Sequence, residues 1–173
     1  MLRREIPFPE IVSKVRGLEV LDKAKFSFKA NLSAVFYPYK LSKQDQNKLC
    51  KSIQPHILKK RKFKYADNEN LGRLVPLKRD VDLEVVKNLT KKYPTVEVRE
   101  KSEIELSYES FTIQEILASV LPEDLPPVTS FETIGHICHL NLRSRHEPFQ
   151  GLIGEVILSK LKNIKTVVTD CLF

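Results

Sequence analysis

The chain has 173 residues, 42% hydrophobic and 29% charged, with a formal net charge of +7, three cysteines and no tryptophan. That length suits one ordinary domain or two small ones, and no window approaches the roughly 18 consecutive apolar residues of a membrane span, so no membrane association is expected. Cys50, Cys138 and Cys171 lie far apart with no CxxC spacing, which speaks against a disulfide framework and predicts reduced thiols in an intracellular, cytoplasmic setting.

The N-terminal run MLRREIPFPEIVSKVRG is basic but holds Glu5 and Glu10. A mitochondrial presequence is usually poor in acids, so this reading is not favoured, and the mitochondrial matrix stays open beside the nucleus as a location. Charge is uneven along the chain. Residues 1–66 carry 16 Lys/Arg against 5 Asp/Glu, a balance of +11, and residues 67–173 carry 13 against 17, a balance of −4. A basic half joined to a mildly acidic one fits an anionic partner on the first half. A lysine-rich solvated surface fits the charge equally well.

Asn31–Tyr39 is rich in aromatic and β-branched residues and reads as a strand, with Pro38 near its end. Ser42 opens a Ser-x-x-Asp arrangement able to cap a helix to about Ile53, with Leu49 and Ile53 as its buried stripe. Lys59-Lys60-Arg61-Lys62-Phe63-Lys64-Tyr65 interleaves five cations with two aromatics. Such a segment neutralises phosphates while its rings anchor the strand or stack on a base, which makes Lys59, Lys60, Arg61, Lys62 and Lys64 candidate RNA-binding residues. A nuclear import signal looks the same. Leu74–Leu77 reads as a short strand, Asp80 as the cap of a helix carrying Leu83, Val86 and Leu89, and Val96–Arg99 as a strand. Residues 1–101 are therefore expected to form one small α+β unit.

A second unit is expected over 104–173. Ile104–Tyr108 is strand-like, and Thr112 with Glu115 makes a capping box before Ile116, Leu117, Val120 and Leu121. Leu121-Pro122 ends that helix, and Pro126-Pro127 marks a rigid connector. Ile134–Leu142 reads as one strand in which His136, Cys138, Ile134, Leu140 and Leu142 share a face and His139 points away. Only two of the three candidate ligands converge, so no metal site is expected, and His136 is read as a hydrogen-bonded packing residue. A Cys138–His139 nucleophile pair lacks an orienting group and oxyanion donors, so no catalytic residue is assigned. Arg143, Arg145 and His146, in the loop before the next helix, are a candidate phosphate grip; ordinary surface charge is the plainer reading. Gly151 and Gly154 sit inside that helix beside its apolar face of Phe149, Leu152, Ile153, Val156 and Ile157. A helical glycine costs about 1 kcal/mol relative to alanine, so close packing against another backbone is expected there.

Two runs carry a resemblance. Phe131, Ile134, Gly135, His136, Ile137, His139, Leu140, Asn141, Leu142 and Arg143 are followed by Pro148, Phe149, Leu152, Ile153, Gly154, Val156, Ile157, Leu158 and Lys160. Upstream stand Leu106, Ser107, Tyr108, Phe111, Glu115, Ile116, Leu117, Val120, Leu121, Pro122 and Glu123. Together, over about 104–168, they resemble the N-terminal part of the eukaryotic and archaeal tRNA (guanine-37-N1)-methyltransferases, the family that also includes the wybutosine-synthesis aminocarboxypropyl transferase. Residues 1–103 agree only loosely with that family's variable N-terminal domain.

The resemblance implies tRNA as partner, a monomer, and S-adenosylmethionine as the family's cofactor. The family binds that cofactor in a Rossmann-like catalytic domain whose glycine-rich turn, acidic strand end and Asn-Pro-Pro-aromatic motif do not occur in these 173 residues. No cofactor-binding residue is therefore carried over, and this chain alone is expected to bind none. The expected protein is α+β, two small mixed α/β units without the catalytic domain: a fragment of a tRNA methyltransferase with RNA-binding surface, inactive by itself. Where the family continues Val-Val-Asn-Lys, this chain reads Val167-Val168-Thr169-Asp170, which is expected to mark a truncated gene model or a short product. A fragment of the aminocarboxypropyl transferase and a non-enzymatic RNA-binding or protein-interaction module are the alternatives.

Overall fold

In the computed structural model, residues 8–58, 64–65, 71–128 and 130–169 are described, Lys64 and Tyr65 by their backbone only. Helix α1 (Pro9–Val15) and a 3-10 turn (Lys23–Phe26) come first. Strand β1 (Phe28–Pro38), helix α2 (Lys43–Ile53), strands β2 (Lys64–Tyr65) and β3 (Gly72–Pro76), helix α3 (Leu83–Thr90) and strand β4 (Glu97–Leu106) follow. Helix α4 (Ile113–Val120), strands β5 (Glu132–Ile134) and β6 (Ile137–Leu140), helix α5 (Gln150–Lys160) and strand β7 (Thr166–Thr169) complete the order. The protein is thus α+β, as expected, with two small sheets. No helix among the described residues is long and apolar enough to cross a membrane.

The chain divides into two compact units, but not at residue 101. One is Phe28–Leu106; the other joins the segment up to Ser27 with the segment from Ser107 onward. Both departures from the sequence-based boundary have plain causes. Strand β4 runs unbroken from Glu97 to Leu106 because β1 pairs with it from Phe28 opposite Leu106 to Phe36 opposite Glu97, through one irregularity between Leu32 and Ala34. The N-terminal segment buries Phe8, Ile11, Val15 and Phe26 completely. Phe8 meets Phe111 edge-on at 6.0 Å, and Phe26 meets Tyr108 at 5.3 Å. The Gly17 amide also donates to the Val120 carbonyl at the end of α4, at 3.0 Å.

In the Phe28–Leu106 unit the sheet order is β2-β4-β1-β3, all antiparallel. Helices α2 and α3 bury Leu49, Ile53 and Val86 with Val35, Tyr37, Leu77 and Tyr93 in one cluster. The Ser42 hydroxyl accepts the Asp45 amide at 3.1 Å, which fixes the start of α2. Helix α3 is capped by Asp82, not Asp80: its carboxylate accepts from the Glu84 amide at 2.9 Å. The Val81 amide is already engaged in a turn with the Lys78 carbonyl, so helical winding starts later than the first aspartate suggests.

In the other unit, Thr112 and Glu115 form the expected capping box at α4. The expected strand Ile134–Leu142 is instead a hairpin. Gly135 has φ +59°, a left-handed conformation that glycine adopts without steric cost, and it turns β5 back along β6. His136 therefore lies in an exposed turn and not in a packed strand, and its carbonyl accepts from the Lys165 and Thr166 amides at 2.8 and 3.2 Å. Strands β6 and β7 are parallel and joined by α5. Neither helical glycine packs tightly: a Cβ on Gly151 would meet nothing within 4 Å, and one on Gly154 would touch Val167 at an ordinary 3.9 Å.

Candidate nucleic-acid interface

Lys59, Lys60, Arg61 and Lys62 lie outside the described residues. Lys64 is in β2, in register opposite Glu105. The second proposed grip is not assembled as a trio. Ser144–Phe149 is a 3-10 turn, and it turns His146 inward, 6% exposed, with Nε2 and the Pro126 carbonyl oxygen 2.9 Å apart. A carbonyl only accepts, so Nε2 carries the proton of that bond. Arg145 is ion-paired with Asp124. Arg143 alone of the three is exposed and without an ion pair among the described residues.

Several residues that carry the resemblance are consumed by packing. The Tyr108 hydroxyl meets Ser159 Oγ at 2.5 Å, and burial pushes its pKa up. Lys160 donates to the Tyr108 carbonyl at 2.8 Å while its Nζ lies 4.6 Å from the centre of the same ring. This clasp ties the end of α5 to the turn before α4. Tyr108→Phe is expected to lower stability by about 0.5–1.5 kcal/mol, read as a shift in denaturant midpoint; no shift would assign the hydroxyl no structural role. Cys138 is fully buried and burial pushes its thiol up, the reverse of an activated nucleophile. Val168, opposite His139 in the β6–β7 register, is exposed on the sheet face away from Cys138. No three His, Cys, Asp or Glu side chains converge among the described residues.

The Phe28–Leu106 unit shows a charge layout that the sequence reading missed. Four of its acids, Glu84 on α3 and Glu97, Glu100 and Glu103 on β4, each hold a cation. Glu103 holds Lys29 at 2.8 Å, Glu84 and Glu100 hold Lys87 at 2.9 and 3.6 Å, and Glu97 holds Arg99 at 3.2 Å. Lys29 and Lys87 have pKa values raised above the ordinary lysine value, chiefly by their hydrogen bonds to Glu103 and Glu84. Helix α2 is the opposite case. Its exposed positions are Lys43, Gln44, Asn47, Lys48 and Lys51, with no carboxylate among them. Asp45 is turned to the helix start, accepting from Ser42 Oγ at 2.8 Å. The signal was present in the sequence as an acid-free stripe at helical spacing, but the adjacent heptapeptide of denser charge overshadowed it.

Beside α2, the Tyr37 hydroxyl lies 3.7 Å from Cys50 Sγ. Burial pushes the Tyr37 hydroxyl up. Arg73 stands opposite Tyr37 in the β1–β3 register.

The family profile described as "TYW2 N-terminal domain" matches residues 113–172. The tRNA (guanine(37)-N(1))-methyltransferase of Batrachochytrium dendrobatidis is 52% identical over 68 residues, 39% of this chain and 14% of that one. The protein of the same name from Anopheles gambiae is 35% identical over 163 residues, 91% of this chain and 28% of that one. The one from Xenopus tropicalis is 31% identical over 171 residues, 94% and 33%. A solved structure, Trm5b from Pyrococcus abyssi, is similar at a TM-score of 0.43 with 24% identity, covering 80% of this chain and 37% of that one; a likeness so loose carries no functional weight. The chain spans about a third or less of the curated relatives named here.

Proposed function

We propose that the chain is a counterpart of the N-terminal part of the tRNA (guanine(37)-N(1))-methyltransferases it resembles and that it serves tRNA modification by holding tRNA. The supporting observation is the charge layout of the Phe28–Leu106 unit, where Glu84, Glu97, Glu100 and Glu103 each hold a cation while the exposed positions of α2 are lysines and amides only. Phosphate contacts of that kind fix the position of an RNA without reading its sequence. Methyl transfer from S-adenosylmethionine to N1 of guanosine 37 belongs, in this reading, to groups that these 173 residues do not supply, so the chain alone binds tRNA without modifying it.

A second reading has its own support: the profile matching residues 113–172 is that of the TYW2 N-terminal domain, which fits the aminocarboxypropyl transferase branch. The two share tRNA and cofactor and differ in the group transferred.

Titrating the chain with a tRNA transcript at several salt concentrations tests the reading. Binding should weaken steeply with salt, and alanine at Lys59, Lys60, Arg61 and Lys62 should lower the salt slope by about three. Salt-insensitive or undetectable binding would sink the proposal. Incubation with labelled S-adenosylmethionine should leave the tRNA unlabelled.

A further inference from the structure

Resting on the tRNA-binding reading, we propose that the edge of α2 continuous with the turn at Tyr39 is the phosphate track of this chain, an RNA-backbone surface with one stacking ring. Positions 43, 47, 50 and 54 lie along one line of the helix, since residues three and four apart are neighbours on its surface. Lys43 and Asn47 thus stand on the line that includes Cys50, whose Sγ lies 3.7 Å from the hydroxyl of Tyr37, the residue opposite Arg73 in the β1–β3 register. Lys51 follows Asn47 by four residues on the exposed side. Lys43 to Lys51 spans about 12 Å of helix, enough to meet more than one phosphate.

The turn preceding the helix adds a ring. Tyr39 is 57% exposed, and its amide donates to the Leu71 carbonyl at 3.2 Å, which holds the turn against β3. An exposed aromatic beside Lys40 and Lys43 is a platform on which an unpaired base stacks, whatever its identity. Lys40, Lys43 and Lys51 form no ion pair among the described residues, whereas Lys29, Lys87 and Arg99 are engaged by Glu103, by Glu84 and Glu100, and by Glu97. This assigns the interface to one helix edge of the unit, which net charge alone does not do.

Three matched variants test it, each titrated with an unmodified tRNA transcript across salt. Lys40→Gln/Lys43→Gln/Lys51→Gln should lower the salt slope by about two to three, while Lys29→Gln/Lys87→Gln/Lys101→Gln, with the same loss of charge, should barely change it. Tyr39→Leu should weaken binding about 5- to 150-fold with the slope kept. Equal slope losses in the two lysine variants would show that only net charge matters and overturn the track. An unchanged first variant would overturn it too, and an unaffected Tyr39→Leu would remove the ring from it. If the unaltered chain binds no tRNA, the reading under Proposed function falls first and the track falls with it.

Discussion

Phe26→Ala is expected to lower stability by about 3–5 kcal/mol and to unfold the unit that joins its segment to the one from Ser107 onward, although the Phe28–Leu106 unit separates the two in the chain. Phe26 is fully buried. Its ring lies 5.3 Å from Tyr108 and 5.8 Å from Phe111, both in edge-on geometry. Such pairs add stabilisation beyond the apolar area they bury, and truncation leaves a cavity with ring edges on its wall. The loss should appear as reduced hydrogen-exchange protection of the amides of α4 and α5. Full protection of those amides in a variant that is destabilised only over β1–β4 would contradict the division of the chain at Ser27 and Ser107. A fragment starting at residue 104, the boundary suggested by the sequence, should for the same reason fail to melt cooperatively, because it lacks Phe8, Ile11, Val15 and Phe26.

These same residues show where the sequence was legible and where it was not. The starts of α2 and α4 were readable because a cap is a local device: Ser42 and Asp45 are three apart, as are Thr112 and Glu115, and no distant residue decides the outcome. The α+β class followed from such segments. Phe8 and Phe26 give no comparable signal, because their partners Phe111 and Tyr108 lie more than eighty residues away and no local spacing reveals them. Strand β4 was read as two pieces because Glu100, Lys101 and Glu103 interrupt its apolar pattern. Pairing with β1 carries the backbone through those positions regardless. The hairpin at Gly135 was missed because Ile134 and Ile137 continue an apparent strand on both sides, and only a positive φ at the glycine breaks it. Among the site residues, Arg145 and His146 looked like a cationic pair in sequence. Their engagement by Asp124 and by the Pro126 carbonyl depends on contacts about twenty residues away.

The second large effect is expected at Gly72. A Cβ there would lie 2.4 Å from the Tyr37 carbonyl oxygen and 2.6 Å from Cζ of Phe36. The requirement for glycine is one of space, where β3 starts opposite Pro38. Gly72→Ala should cost about 1–3 kcal/mol or more through overpacking, measured as a lowered denaturant midpoint. The two clashes are separable. Phe36→Leu removes the ring, which also carries the Arg99 guanidinium at 4.3 Å from its centre, but it leaves the backbone oxygen in place. Much of the Gly72→Ala penalty should therefore persist in a Phe36→Leu background. Its disappearance there would mean that the ring alone excluded the methyl group and that β1 and β3 do not have to part. If the strands do part, Tyr37 moves with β1, and with it the contact to Cys50 on α2. The single methyl group should then weaken tRNA binding as well as stability, without removing any charge. A folded Gly72→Ala protein with unaltered tRNA affinity would separate the register of β1 and β3 from the placement of the lysine-bearing helix.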